Sequence, residues 1–163
     1  MDALALLKDQ AANADAGLMR VFKPVTPDQA VWRLPGSTAN PIGVTFLHAY
    51  LSEDEAIHRL LDKPSVFESG GWRDRLGYDP GNWSIAGRPD PAPMLAYAEA
   101  VVVPTREYLS ALTNEALELE IDTPRGRRPL IARLGVYLVY HKFQHMGDIA
   151  ALLGCQGVKG LPF

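Results

Sequence analysis

His141-Lys142-Phe143-Gln144-His145 places two imidazoles four residues apart in a chain that has four histidines in all. On a helix that spacing is one turn, so both rings lean to the same side. Two neutral imidazoles on one turn can clamp a divalent metal. A third, for which His48 is the candidate, would complete a three-imidazole site with coordination positions left open for chemistry. Taken alone, His48 reads more readily as a core histidine with one satisfied hydrogen bond. The pair is harder to explain that way, because two unpartnered imidazoles on a core-facing stripe are costly to bury.

Rival metal motifs fit less well. A zincin needs glutamate after the first histidine, where this chain has Lys142. A ferritin-like di-iron bundle needs Glu-x-x-His twice, and Glu55-Ala56-Ile57-His58 supplies it once. His58 lies ten residues past His48, about 15 Å along a helix and roughly 80° around it, and reads as a surface residue. Glu55 and Asp148 each follow a histidine by seven residues, Glu55 after His48 and Asp148 after His141. That puts each on its histidine's face about 10 Å further on, as a candidate catalytic base or an outer acceptor that steadies a ligand. The alternative for both is a solvated rim position. Tyr50 and Tyr140 point off the ligand face and read as packing.

Four helices must position these groups. The first runs from about Asp2 to Met19, with Leu4, Leu7, Ala11 and Leu18 on one stripe. Lys23 to Ala39 reads as a linker. Asn40 and Pro41 give a cap-then-proline start to a second helix that carries His48 and ends near Asp62. Asp90-Pro91 repeats that signal for a third helix to about Leu117, which Pro104 should kink or split. The fourth begins at Pro129 or Leu130 and runs to Leu153, closed by Gly154. Leu130, Leu134, Leu138, His141, His145, Ile149 and Leu152 follow its inner face. Leu117 to Asp122 alternates with period two, a short extended segment without an evident partner. The whole is an all-α four-helix bundle, one domain over residues 1–163.

A long irregular connection, Lys63–Asp90, joins helices 2 and 3 and is rich in Gly, Pro and aromatics, as expected of a lid or packed loop. Trp32, Trp72 and Trp83 fall in connections and serve either as plugs or as walls of an apolar pocket.

The composition is that of an ordinary globular protein: 163 residues, 47% hydrophobic, 21% charged, net charge -3. The only dense basic cluster is Arg125-Gly126-Arg127-Arg128, a solvated turn rather than a phosphate or nucleic-acid site. The single Cys155 forbids an intrachain disulfide. The N-terminus carries Asp2, Lys8, Asp9 and Asp15 among its apolar residues, unlike a signal peptide. No run approaches the roughly 18 apolar residues of a membrane span. The expectation is a cytoplasmic protein with a small-molecule substrate, bound to neither nucleic acid nor membrane.

The chain resembles the DinB-like metal-binding proteins in several stretches taken in order. Asn40-Pro41-Ile42-Gly43, His48 and Asp54-Glu55 resemble that family's second helix. Gly71-Trp72-Arg73-Asp74-Arg75-Leu76-Gly77 resembles a segment of one branch. His141 to Ile149 matches the motif His-x-x-x-His-x-Gly-x-Ile, the most specific part, and the Leu-Leu-Gly-Cys-Gln-Gly tail through Pro162 also fits. The family commonly shows glutamate where this chain has Lys142, a position that points away from a metal. The resemblance implies a four-helix bundle holding a divalent ion (Zn, Ni, Fe or Mn) on His48, His141 and His145, often as a homodimer. It also implies a class of activity, thiol S-transfer with a low-molecular-weight thiol cosubstrate. A metal-dependent hydrolase and a non-catalytic metal-binding or stress-response module are the alternatives. A three-histidine metal keeps its full positive charge and lowers the pKa of a bound thiol or water. Arg73, Arg75 and Arg88 are the candidate contacts for a cosubstrate carboxylate.

Overall fold

In a computed structural model, residues 2–123 and 126–161 are described. Helix α1 (Ala3–Phe22) is capped by the Asp2 side chain, which accepts the Ala5 N–H. A short α2 (Pro27–Val31) interrupts the expected linker, started by a capping box between Thr26 and Gln29. Helix α3 spans Ile42–Leu61. Asn40 does not cap it: the flanking residue is Pro41, without a side-chain cap, and the Thr45 hydroxyl donates to the Pro41 carbonyl instead.

The connection to the third long helix is more ordered than the sequence suggests. It contains α4 (Val66–Ser69), α5 (Trp72–Leu76) and an antiparallel pair, β1 (Tyr78–Asp79) with β2 (Ser84–Ile85), in register Tyr78↔Ile85. Local capping explains α4, where Ser65 and Glu68 form a second capping box. Helix α6 (Pro91–Ala111) is capped by Asp90 and continues through Pro104 without a split. The third helix ends at Ala111, and a separate turn, α7 (Asn114–Leu117), follows under a Thr113 cap. The extended segment does have a partner: β3 (Glu120–Ile121) pairs with β4 (Arg128–Pro129) across the basic turn. In that turn Arg127 faces Glu120 at 3.6 Å, while Pro124 and Arg125 lie outside the described residues, as does Pro162 of the tail.

The fourth long helix is composite: α8 (Leu130–Leu134), a π-helical segment (Gly135–Tyr140) and α9 (His141–Cys155), ending one residue past Gly154. Helix α3 packs against α6 and α9, and α1 against α9, so the four long helices form an all-α bundle. No described helix is long and apolar enough to cross a membrane.

Two apolar clusters fill the bundle. One gathers Leu18, Phe22, Phe46, Tyr97 and Ile149 among others; the second gathers Leu4, Leu7, Ile57, Leu134 and Leu138. At the seam, Lys142 is fully enclosed, with its ammonium paired to Asp15 and Glu53 and 4.7 Å from the Tyr50 ring centre. Burial raises the Asp15 carboxyl to about 6 despite the ammonium beside it. This ion cluster ties α1, α3 and α9 together.

Asp54 forms a second buried junction. Its carboxylate accepts the Val66 and Phe67 N–H groups at 2.8 Å each and the Tyr97 hydroxyl at 2.9 Å. His58 Nδ1 lies 2.8 Å from the same carboxylate. His58 is therefore a buried residue, not a surface one: Asp54, one turn before it, holds its ring by the carboxylate. Asp54 thus fastens α4 and α6 to α3.

Candidate metal centre

His48 comes from the middle of α3, and His141 and His145 from the first turns of α9. One nitrogen from each ring lies within 4.8 Å of the others. Ring centres are 4.9 Å apart for His48 and His141, 5.2 Å for His48 and His145, and 4.4 Å for the pair on α9. Among the described residues this is the one group of three or more His, Cys, Asp or Glu side chains with that geometry. All three rings are half-buried. Tyr140 is exposed rather than packed, while Tyr50 is buried.

The hydrogen-bond network orients the donors. His145 Nδ1 lies 2.9 Å from the Asp148 carboxylate. An ionised carboxylate only accepts, so that nitrogen carries the proton and Nε2 keeps its lone pair. Nε2 of His145 then faces Nε2 of His141 at 2.9 Å. His141 Nδ1 is buried with no hydrogen-bond partner. Burial holds the His48 ring down to about 4, reinforced by His141 and His145. Burial, with His145 next, does the same for His141. Both rings are neutral at pH 7, the form that binds metals.

The β1–β2 turn closes over one side. Asp79 accepts from the Gly81 N–H at 3.0 Å and from the Asn82 amide at 2.6 Å, which folds the turn and delivers Trp83 onto His48 with ring centres 4.2 Å apart. Trp83 has φ +49, an uncommon conformation for a bulky residue, and its side chain remains 40% exposed. It is a wall of the site. Trp72 is the plug, buried against Tyr97, and Trp32 is half-buried against the same core.

Glu55 stands apart from the three rings. It is exposed on a polar notch with Ser52, Arg59, Arg133 and Tyr137. Desolvation raises its carboxyl above the ordinary range, partly countered by Arg59. Arg73, Arg75 and Arg88 are all exposed. Arg73 pairs with Asp79, Arg75 stacks 3.6 Å from the Trp72 ring centre and Arg88 pairs with Asp28. Sequence reasoning missed Lys142, Asp15 and Glu53, although each falls on a core step of its helix. It also missed Arg133, the penultimate residue of the short α8.

A solved structure described as the conserved protein of locus from Enterococcus faecalis superposes with a TM-score of 0.76 at 17% identity. The match covers 94% of this chain and 99% of that one, a likeness of fold alone. No curated protein matches the chain. The family model described as the DinB superfamily matches residues 10–149, nearly the whole bundle. The chain belongs to the DinB superfamily.

Proposed function

We propose that His48, His141 and His145 bind a divalent metal ion and that the protein is a metal-dependent enzyme of the thiol S-transferase type. One observation carries the metal reading: three imidazoles from two helices converge, with two facing ring nitrogens 2.9 Å apart. Neighbouring ligands on metal–nitrogen bonds of about 2.0–2.1 Å stand roughly 2.9–3.4 Å apart, so the α9 pair fits the group. A metal held by neutral ligands would lower the pKa of a bound thiol and supply thiolate at neutral pH.

The chain's own residues do the rest. Asp148 fixes the His145 tautomer and ring orientation, the outer role common to metal-bound histidines. Trp83 restricts water and bulky molecules on the His48 side. Glu55 is the proposed base, its carboxyl raised by desolvation and available from the neighbouring notch. The close contact of Trp83 with His48 also favours a second reading, a non-catalytic module that holds metal behind a narrow entrance.

We further propose a single-domain cytoplasmic homodimer acting on a small molecule. Val136, Tyr140 and Phe143, exposed along one side of the fourth long helix, support the dimer, and the mass in solution tests it. Metal content of untagged protein, beside a His141→Ala, His145→Ala variant, tests the site. About one ion per chain, lost in the variant, is expected. No ion taken up when Zn, Ni, Fe or Mn is offered refutes the reading. With the metal bound, saturation by low-molecular-weight thiols separates transferase from holding module.

A further inference from the structure

Among the described residues Arg133 is a buried cation with no carboxylate within ion-pair distance. Its side chain is among the buried residues at 8% relative exposure, and its Nε is enclosed with no hydrogen-bond partner. Its guanidinium sits 5.2 Å from the centre of the Tyr137 ring, one turn on, which fixes its position. A buried guanidinium normally has an anionic partner, because an unpaired charge is expensive away from water. Here the remaining face of the group opens on a notch of about 150 Å³, also lined by Ser52, Glu55 and Arg59. Glu55 and Arg59 lie one turn apart on α3 and offset one another. The surplus positive charge is that of Arg133.

The notch adjoins the three histidines. Ser52 lies one turn beyond His48 on α3. Tyr137 lies one turn before His141, with their ring centres 6.3 Å apart. A ligand anchored in the notch is therefore on the order of 6–12 Å, one to two helical turns, from the cluster.

We infer that the Arg133 notch binds the carboxylate of a small molecule whose other end reaches the three histidines. Guanidinium suits this task because its planar fork matches a carboxylate, and Tyr137 and Ser52 add hydroxyl donors. The reach to the histidines rests on the metal reading above; the carboxylate site does not.

The experiment is calorimetric binding of 6-mercaptohexanoate, hexanoate and 6-mercaptohexanol to the metal-free and zinc-loaded protein. Both acids should bind the metal-free protein at least about tenfold more tightly than the alcohol, the effect of one charge-assisted contact. Arg133→Gln should abolish that preference. Arg133→Lys, which keeps the charge but not the fork, should retain a part of it, and the exposed Arg59→Gln should reduce it slightly. Circular dichroism establishes that each variant is folded. If neither Arg133 variant folds, the acid–alcohol comparison on the native chain and Arg59→Gln decides. Equal binding of acid and alcohol, or a folded Arg133→Gln that keeps the preference, overturns the inference. In the zinc-loaded protein the mercapto acid should gain over hexanoate. Absence of that gain with the acid preference intact would refute thiol binding at the metal and leave the carboxylate site standing.

Discussion

Replacing Lys142 by methionine should destabilise the protein by about 4 kcal/mol at pH 7, within the 3–5 kcal/mol typical of breaking a buried ion pair. The ammonium is enclosed between Asp15 and Glu53, and methionine would leave two carboxylates facing each other with no cation between them. With a guanidinium chloride slope of about 4 kcal/mol/M for a chain of this size, the unfolding midpoint should fall by about 1 M. The pH dependence is more telling. In the native chain Asp15 titrates near 6, against 3.8 unfolded. A carboxyl with a raised folded value favours the fold most at low pH and loses that advantage as pH rises through the folded value. Removing the ammonium takes away the influence that lowers the Asp15 value, so the variant should hold a proton at pH 7 already. Between pH 7 and 5 it regains about 2.7 kcal/mol from that proton, and the native chain about half as much because it takes up its own only below 6. The gap should narrow by about 1.4 kcal/mol, to roughly 0.65 M in midpoint. A triple variant with Asp15→Asn and Glu53→Gln added should recover most of the loss. A midpoint shift under about 0.3 M at pH 7, or a gap that widens towards pH 5, would refute the account of the cluster.

Asp54→Asn removes an acceptor of two backbone N–H groups and the Tyr97 hydroxyl. The melting temperature should fall by about 6–12 °C, equivalent to about 3 kcal/mol, with limited proteolysis opening the connection first. Trp83→Gly relieves the φ +49 conformation and uncovers His48. Stability should change by less than about 1 kcal/mol, while a chelator should strip bound metal several-fold faster. The metal-free protein should lose stability as pH falls from 6.5 towards 4, because His48 and His141 are held near 4 in the fold and the unfolded chain takes up protons first. Denaturant titrations at pH 7 and 5 on an Asp15→Asn background, where that carboxyl no longer titrates, separate this effect from the Asp15 contribution.

The long helices were legible because their signals are local and repetitive. The Asp90-Pro91 start and the stripe through Leu130, Leu138 and Ile149 need no tertiary information, and the histidine pair is visible by its spacing. What escaped depends on partners far away in sequence. His58 looks like a surface residue until the buried Asp54 carboxylate is seen holding its ring. Arg133 and Lys142 differ in what pairs with them: two carboxylates for Lys142 and, among the described residues, none within ion-pair distance for Arg133. Pro104, in the middle of α6, carries no split, and beside it the Thr105 hydroxyl bonds back to the Val101 carbonyl. The period-two stretch had a partner, reached by a turn whose pairing no single-segment pattern reveals. Lys142, Asp15 and Glu53 were within reach: each occupies a gap in an apolar stripe, and three charges in such gaps on three helices invite pairing.

The π-helical segment sets an angular phase between two ends of one rod. His141 N–H bonds back to the Val136 carbonyl, five residues earlier, so this stretch carries one residue more per closure than an α-helix. Arg133 lies before it and the histidine pair after it. Deleting one residue between Gly135 and Tyr140, with α-helical winding restored, should leave the two ends in nearly the same phase, because the wider turn is what absorbs the extra residue. The same deletion in α9, which has no residue to spare, would turn everything beyond it by about 100°. The segment is therefore a place where this rod can lose a residue while Arg133, the ion cluster and the imidazoles keep facing the bundle in common, a tolerance of length that the α-helical stretches on either side do not share.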